Sequence, residues 1–221
     1  MFDRLEVNRT AFGLSLLTAV LYNSWPLAFW LDPISLNNKY FSALEVSGRP
    51  YAWLFALGDA LTAAIVIAIG SRLIKLNPSS RKILFGYIVF GAATLFEAIT
   101  PISNRCGESI SACGISPVQI LSLHDTASIV AALGLLAALY AIMRQARGAG
   151  QSESSYKWAR ALFWIWSLSG IFLILSVVVD KVTLLSQIIF LLACGLALIA
   201  LPLFALQPSV ETHFKSSSKT K

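Results

Sequence analysis

The chain has 221 residues, of which 57% are hydrophobic and 13% are charged, and its formal net charge is +6 at pH 7. A soluble globular domain carries roughly 25% charged residues, so this composition and the mean hydropathy of +0.72 exclude an ordinary soluble protein and indicate an integral membrane protein. The lysines and arginines lie in short clusters between apolar runs. That pattern sets membrane orientation and excludes the basic groove of a nucleic-acid-binding protein.

Six apolar runs are long enough to cross about 30 Å of hydrocarbon as helices. In chain order they cover residues 11–31, 51–74, 83–103, 124–143, 161–179 and 182–206. The first run is too long for a signal peptide and no cleavage site follows it, so we interpret it as a transmembrane helix. The sequence thus predicts an all-α bundle of six transmembrane helices, a single domain over residues 1–206. A polar cytoplasmic tail, residues 207–221, follows it, and we expect the tail to be disordered.

The orientation of the bundle follows from the positive charges. Under this topology 13 of the 17 lysines and arginines fall on the side of the two termini. The other side holds Lys39, Arg49, Arg105 and Lys181. Because positive charge accumulates on the cytoplasmic side of a cell membrane, we expect both termini in the cytoplasm.

Two segments on the predicted outer side are long for simple connections. The first, residues 32–50, carries apolar side chains among polar ones, which is typical of an irregular loop on the bundle or of an amphipathic segment that covers a pocket. The second, residues 104–123, contains Cys106 and Cys113. Two cysteines this close in an oxidising space predict a disulfide. Zinc binding is the alternative, although no histidine lies between them.

Four titratable residues fall inside the predicted spans: Asp59, Glu97, His124 and Asp125. An ionisable group in hydrocarbon costs roughly 2.5–3.5 kcal/mol and usually faces the bundle interior, so each is a candidate functional residue. All four lie in the outer half of the predicted spans, and inner stretches such as 129–138 hold no titratable group. We therefore predict that the four side chains converge on one polar pocket that opens outward above an apolar floor.

Each candidate also has a purely structural interpretation. Asp125 can cap the fourth helix, His124 can lie at the headgroup level, and Glu97 can be neutral and hydrogen-bond a neighbouring helix. Asp59 lies deepest, and no lysine or arginine shares the membrane interior with it. A functional role is therefore favoured most for Asp59.

Two stretches of the chain carry a resemblance to a known family. They are Gly48-Arg49-Pro50-Tyr51-Ala52-Trp53-Leu54-Phe55 with Gly58-Asp59, and the segment from Pro101 through Cys106 and Cys113 to His124-Asp125 and Ser128. Over roughly residues 23–140 the chain resembles small bacterial and archaeal membrane proteins known only as a domain of unknown function. The resemblance implies a six-helix membrane fold, a histidine near the outer leaflet and a prokaryotic source, and it implies no activity.

A polar pocket above an apolar floor favours binding of a lipid, a small molecule or a partner protein. It argues against a proton-coupled transporter built on Asp59 and Glu97, because a conduit needs polar lining through its full depth. The remaining alternative is a metal-dependent lipid hydrolase of the outer leaflet, with Ser42, Ser122 and His124 as candidates. It rests on a distant similarity to alkaline-ceramidase-type hydrolases, which use several histidines around zinc. Carboxylates with one histidine are an uncommon zinc ligand set, so we predict no metal site and identify no cofactor.

Overall fold

The structure, a computed structural model, describes residues 2–31, 44–45, 49–100, 123–148, 152–179 and 183–206. These residues form helices and turns and include no β-strand. The helices are α1 Phe2–Tyr22, α2 Ala28–Leu31, α3 Ala52–Leu76, α4 Arg81–Ile99, α5 Leu123–Gly148, α6 Glu153–Val178 and α7 Thr183–Ala205. The predicted all-α class is confirmed for this part of the chain.

Five helices, α3 to α7, are long and apolar enough to cross a membrane, as a multi-pass membrane protein requires. A sixth candidate span exists only if α1 and α2 are counted together, since the chain bends by 41° between them. Here the structure differs from the continuous helix predicted over residues 11–31. The Asn23 amide donates back to Ala19 O at 2.9 Å, and Pro26 lacks the N–H that a continuing helix needs. The helix therefore gives way to the 3-10 turn Trp25–Leu27.

The helix ends that differ from the predicted spans include those of α6 and α4. α6 begins at Glu153 and not at residue 161, because the Ser152 hydroxyl accepts a hydrogen bond from Ser155 N at 3.2 Å and caps the helix. α4 ends at Ile99 and not at residue 103, since Pro101 disfavours helical backbone at the residue before it. Both differences move boundaries and leave the number of candidate spans unchanged.

The long helices form a closed ring in which each helix packs on the next. α1 contacts α3, the following helices pack in chain order, and α7 returns to α1. α7 also contacts α3, α4 and α5, which makes it the most central helix and explains why it is apolar along its whole length. The start of α3, the end of α4 and the start of α5 share one end of the bundle, the site end. The turn Asn77–Ser80 between α3 and α4 lies at the opposite, hairpin end.

A pair of glycines holds α4 and α5 in backbone contact. A Cβ on Gly86 would lie 2.6 Å from Gly134 O, and a Cβ on Gly134 would lie 2.8 Å from Phe90 N. Neither position accepts a side chain unless a backbone moves, and close approach at small residues is how helices associate within membranes. This contact fixes the register of the two helices that carry Glu97 and His124.

Polar side chains at the hairpin end satisfy the free carbonyls of α7. Pro202 removes the N–H that would bond Leu198 O, and the Tyr87 hydroxyl donates to that carbonyl at 3.4 Å. The turn Asn77–Ser80 donates two side-chain hydrogen bonds to Ala205 O, at 2.6 and 2.9 Å. These side chains have structural roles and are not candidates for a ligand site.

Candidate functional site

Three of the predicted site residues lie at the site end of three consecutive long helices. Asp59 is in the second turn of α3, Glu97 is in the last turn of α4, and His124 is the second residue of α5. His124 is only 4% exposed, the Glu97 side chain is 16% exposed, and Asp59 is half-buried. The antiparallel order of the helices thus brings these side chains to one level of the bundle from distant parts of the sequence.

Glu97 and His124 form a contacting pair between α4 and α5. Glu97 Oε1 lies 3.4 Å from His124 Nε2 and accepts a hydrogen bond from Ser128 Oγ, one turn further along α5. His124 Nδ1 lies 3.2 Å from Thr100 O. Because a carbonyl only accepts, Nδ1 carries a hydrogen and donates it. Nε2 is therefore the ring nitrogen that faces the Glu97 carboxyl group.

A second pair joins a loop residue to α3. The Glu45 side chain hydrogen-bonds the Asp59 carboxyl group, and the adjacent Leu44 is buried against Ala28 and Phe55. A hydrogen bond between two carboxyl groups requires that one of them carries a proton. The apolar contacts of Leu44 thus hold Glu45 in the bundle, where it and Asp59 share a proton.

Glu45 connects the two pairs electrostatically. Burial raises the pKa of Glu45 to about 7, and the charge of Glu97 acts in the same direction, while His124 and the hydrogen bond with Asp59 oppose the rise. We call Glu45, Asp59, Glu97 and His124 the acidic cluster. The sequence analysis missed Glu45 because it lies in a loop. The available signal was a single carboxylate among the apolar residues of that loop.

One aromatic side chain of α1, that of Tyr22, lies near the acidic cluster. Tyr22, the last residue of α1, lies within electrostatic range of Glu45, Asp59 and Glu97. Its ring packs edge-on against Phe90 at a centroid distance of 5.5 Å. Tyr22 is a second residue that the sequence analysis did not single out, since a tyrosine in an apolar run resembles an ordinary interface anchor.

Three buried polar atoms near the cluster have no hydrogen-bond partner among the described residues: Asn23 Oδ1, Thr94 Oγ1 and His124 Nε2. Thr94 is 0% exposed and lies one helical turn below Glu97 on α4. His124 Nε2 is close to Glu97 but not aligned for a hydrogen bond. Buried polar atoms are rarely left unpaired, so these atoms indicate unused hydrogen-bonding capacity at the site end.

Asp125 does not share this environment, which differs from the predicted convergence of all four candidates. Its side chain is exposed, whereas the neighbouring His124 is buried, because successive residues of a helix point about 100° apart. Asp125 still lies within electrostatic range of Glu97. It is therefore a rim residue and not a member of the acidic cluster.

Four residues of the sequence analysis lie outside the described residues: Cys106, Cys113, Ser42 and Ser122. The disulfide between the two cysteines stays a prediction. The third cysteine, Cys194, is buried in α7 as a free thiol within the apolar core.

The order of the polar groups decides which chemistry they suit. A nucleophilic triad places histidine between the hydroxyl and the carboxylate, whereas here Glu97 lies between Ser128 and His124. Histidine therefore cannot take the proton of Ser128 directly. Within the described part of the chain, no three His, Cys, Asp or Glu side chains are arranged to hold a metal ion. The arrangement suits proton exchange and the binding of hydrogen-bond donors.

No protein-family model, curated protein or solved structure matches this chain. The resemblance to the bacterial and archaeal family therefore stays a prediction, and the functional argument rests on the geometry of the chain itself.

Proposed function

We propose that this multi-pass membrane protein binds a small molecule or a lipid at the acidic cluster, through a pocket that opens to the outer side of the membrane. The observation that carries the proposal is the gathering of Glu45, Asp59, Glu97 and His124 from a loop and three helices at one end of the bundle. Collecting ionisable groups within hydrocarbon is costly, and such groups usually serve function.

The proposal includes the topology on which the word outer depends: six spans with both termini in the cytoplasm. It rests on the charge distribution. Arg72, Lys75, Arg81 and Lys82 surround the hairpin end, and the acidic cluster lies at the opposite end. A cysteine at Ser152, which is exposed between α5 and α6, should react with an impermeant thiol reagent only after the membrane is opened. Labelling of intact cells at this position would overturn the topology.

Ligand binding explains the geometry of the acidic cluster better than lipid hydrolysis or proton-coupled transport does. Hydrolysis needs a hydroxyl activated by histidine, and the residues that the structure describes offer none. Proton-coupled transport needs polar groups through the full depth of the bundle, but the core below the cluster is closed by packed aliphatic side chains. They include Val66, Ile69, Leu73, Leu84, Leu135, Leu139 and Leu198. A site that is polar at one end and closed below suits a ligand that enters and leaves by the same route.

A thermal-stability screen in lipid nanodiscs tests the proposal. Wild type, Glu97→Gln and the control Glu153→Gln are heated with a fixed panel of amphiphilic amines, alcohols, carboxylates and phospholipids. Glu153 is an exposed carboxylate that pairs with Lys157 at 2.8 Å, so its loss changes stability little. We expect at least one compound to raise the unfolding temperature of wild type and the control more than that of Glu97→Gln. If every compound shifts the unfolding temperatures of the three proteins by the same amount, the proposal is contradicted.

A further inference from the structure

We propose that an open cavity at the hairpin end binds an anionic phospholipid, with the headgroup phosphate on Arg81 and Lys82 and an acyl chain along Phe85. This site lies at the opposite end of the bundle from the acidic cluster and is independent of the proposed function. The cavity itself, the charge around it and the lipid-facing side chains beside it each support a ligand of this class.

The cavity has the size of a ligand site and a wall that the fold holds in place. Its volume is about 560 Å³, and ligand pockets in proteins typically measure roughly 300–1,000 Å³. Its lining residues are Pro78, Ser79, Arg81, Lys82 and Phe85. Two side-chain hydrogen bonds from the turn Asn77–Ser80 to Ala205 O hold that turn on α7. The turn that forms one wall is therefore fixed before a ligand binds.

Positive charge at this end of the bundle exceeds the negative charge that could neutralise it. Arg81 and Lys82 are both exposed, and neither forms an ion pair with another residue that the structure describes. Under the predicted topology this side holds 13 lysines and arginines but only four acidic residues: Asp3, Glu6, Glu153 and Glu211. Glu153 already pairs with Lys157 at 2.8 Å. A headgroup phosphate in the cavity would meet two cations, and arginine binds phosphate through paired N–H groups.

An exposed apolar face of α4 begins at the cavity. Phe85 is 66% exposed, and the exposed side chains of Ala92, Phe96 and Ile99 continue the same face at helical spacing. In a helix that crosses a membrane, such a face lies against lipid chains. Arg81 lies one turn from Phe85 towards the helix end, about 6 Å along the axis. A phospholipid whose chain lies on this face thus brings its phosphate to the cations, which favours it over a soluble phosphate.

The test measures lipid binding to the purified protein in an uncharged detergent by native mass spectrometry. Dioleoyl phosphatidylglycerol, which is anionic, is compared with dioleoyl phosphatidylcholine, whose choline cation offsets its phosphate. The proteins are wild type, the cavity variant Arg81→Gln/Lys82→Gln and the control Arg144→Gln/Arg147→Gln. The control loses the same charge at the same end of the bundle, near the end of α5, but outside the cavity lining. All four side chains are exposed, so both variants should unfold at the wild-type temperature. The single variant Lys82→Gln decides if the cavity variant is destabilised.

We expect the first phosphatidylglycerol to bind wild type and the control about 10-fold more tightly than the cavity variant, as loss of charged hydrogen bonds predicts. Lys82→Gln should lose several-fold. Phosphatidylcholine should bind all the proteins alike, and excess glycerol phosphate should not displace phosphatidylglycerol. Equal losses of phosphatidylglycerol affinity in the two double variants would indicate diffuse surface attraction and overturn the site, as would wild-type affinity in the cavity variant or in Lys82→Gln. Displacement by glycerol phosphate would overturn the lipid ligand and assign the cavity to soluble phosphates.

Discussion

Substitution of Thr94 distinguishes a purely structural role of the acidic cluster from a ligand-binding role. Its hydroxyl is fully buried and has no partner among the described residues, so it contributes nothing to the fold that offsets its desolvation. If the cluster only joined helices, an unpartnered hydroxyl one turn below Glu97 would have no role in it.

Replacing the hydroxyl of Thr94 by a methyl group separates the two roles. We expect Thr94→Val to unfold at the same temperature as wild type or higher, because an unsatisfied polar atom is removed from the core. We also expect the compounds that stabilise wild type in the thermal screen to stabilise this variant less. A variant that they stabilise as much as wild type would remove Thr94 from the site, and a marked loss of stability would show that its hydroxyl has a structural partner.

Glu45 gives the protein a pH dependence with a defined sign. Its pKa rises from 4.5 to about 7 on folding, so the folded state binds the proton more tightly than the unfolded chain. The stabilisation is complete below pH 4.5 and is lost as the pH rises towards 7, by at most about 3 kcal/mol. The groups that face Glu45 are Asp59, Glu97 and His124, with Tyr22 alongside, so its charge state depends on all three packed helices.

Unfolding temperatures of purified protein between pH 4.5 and 8 measure this dependence. Wild type should lose stability across the range, and Glu45→Gln should lose clearly less, because its amide does not titrate. Parallel curves for the two proteins would mean that Glu45 is not a buried, proton-sharing group.

At the scale of the helices, the α4–α5 contact sets the distance between Glu97 and His124. Gly134→Ala should destabilise the protein by about 1–3 kcal/mol, as overpacking does, because its Cβ would meet backbone atoms at 2.8 and 2.9 Å. Gly13→Ala is the matched control, since nothing lies within 4 Å of its Cβ. There the better helix propensity of alanine should raise stability by up to about 1 kcal/mol. Equal effects at the two positions in thermal unfolding would contradict the close approach of α4 and α5.

The proline of α7 leads to a second prediction for the helices. Tyr87→Phe removes the donor to Leu198 O and should cost about 1–3 kcal/mol, the penalty of a buried unsatisfied carbonyl. In a Pro202→Ala background the helix can supply its own N–H to that carbonyl, so the same change should cost less. A double-mutant cycle by thermal or chemical unfolding that gives no coupling between these positions would show that the Tyr87 hydroxyl does not compensate for the proline.

Individual elements show how far the sequence determines the fold and the site. Long apolar windows identify the positions of α3 to α7 because burial in lipid depends on the average composition of a whole span of about 20 residues. The break at Asn23 escapes such windows, since one side-chain hydrogen bond and one proline barely change an average. Asp59, Glu97 and His124 are recognisable because each is a polar residue in an apolar run. Glu45 is not recognisable, because its partner Asp59 is brought close only by tertiary packing.

For the whole molecule, the central feature is a difference between its two ends. The site end holds paired carboxyl groups and unpartnered polar atoms, and the bundle below it is closed by aliphatic packing. Basic side chains surround the hairpin end, where Arg81 and Lys82 border an open cavity of about 560 Å³. The proposed binding of a ligand from one side of the membrane requires such a difference between the two ends.

The most direct test is chemical access to the site in intact membranes. In a background without the three native cysteines, Asp125→Cys at the exposed rim of the site is treated from the outer side with an impermeant, positively charged thiol reagent, and Val66→Cys in the closed core is the control. We predict that Asp125→Cys reacts from outside, that a compound found in the thermal screen slows this reaction, and that Val66→Cys does not react. An Asp125→Cys variant that resists the reagent from outside, or whose reaction the compound does not slow, would contradict an outward-facing ligand site at the acidic cluster.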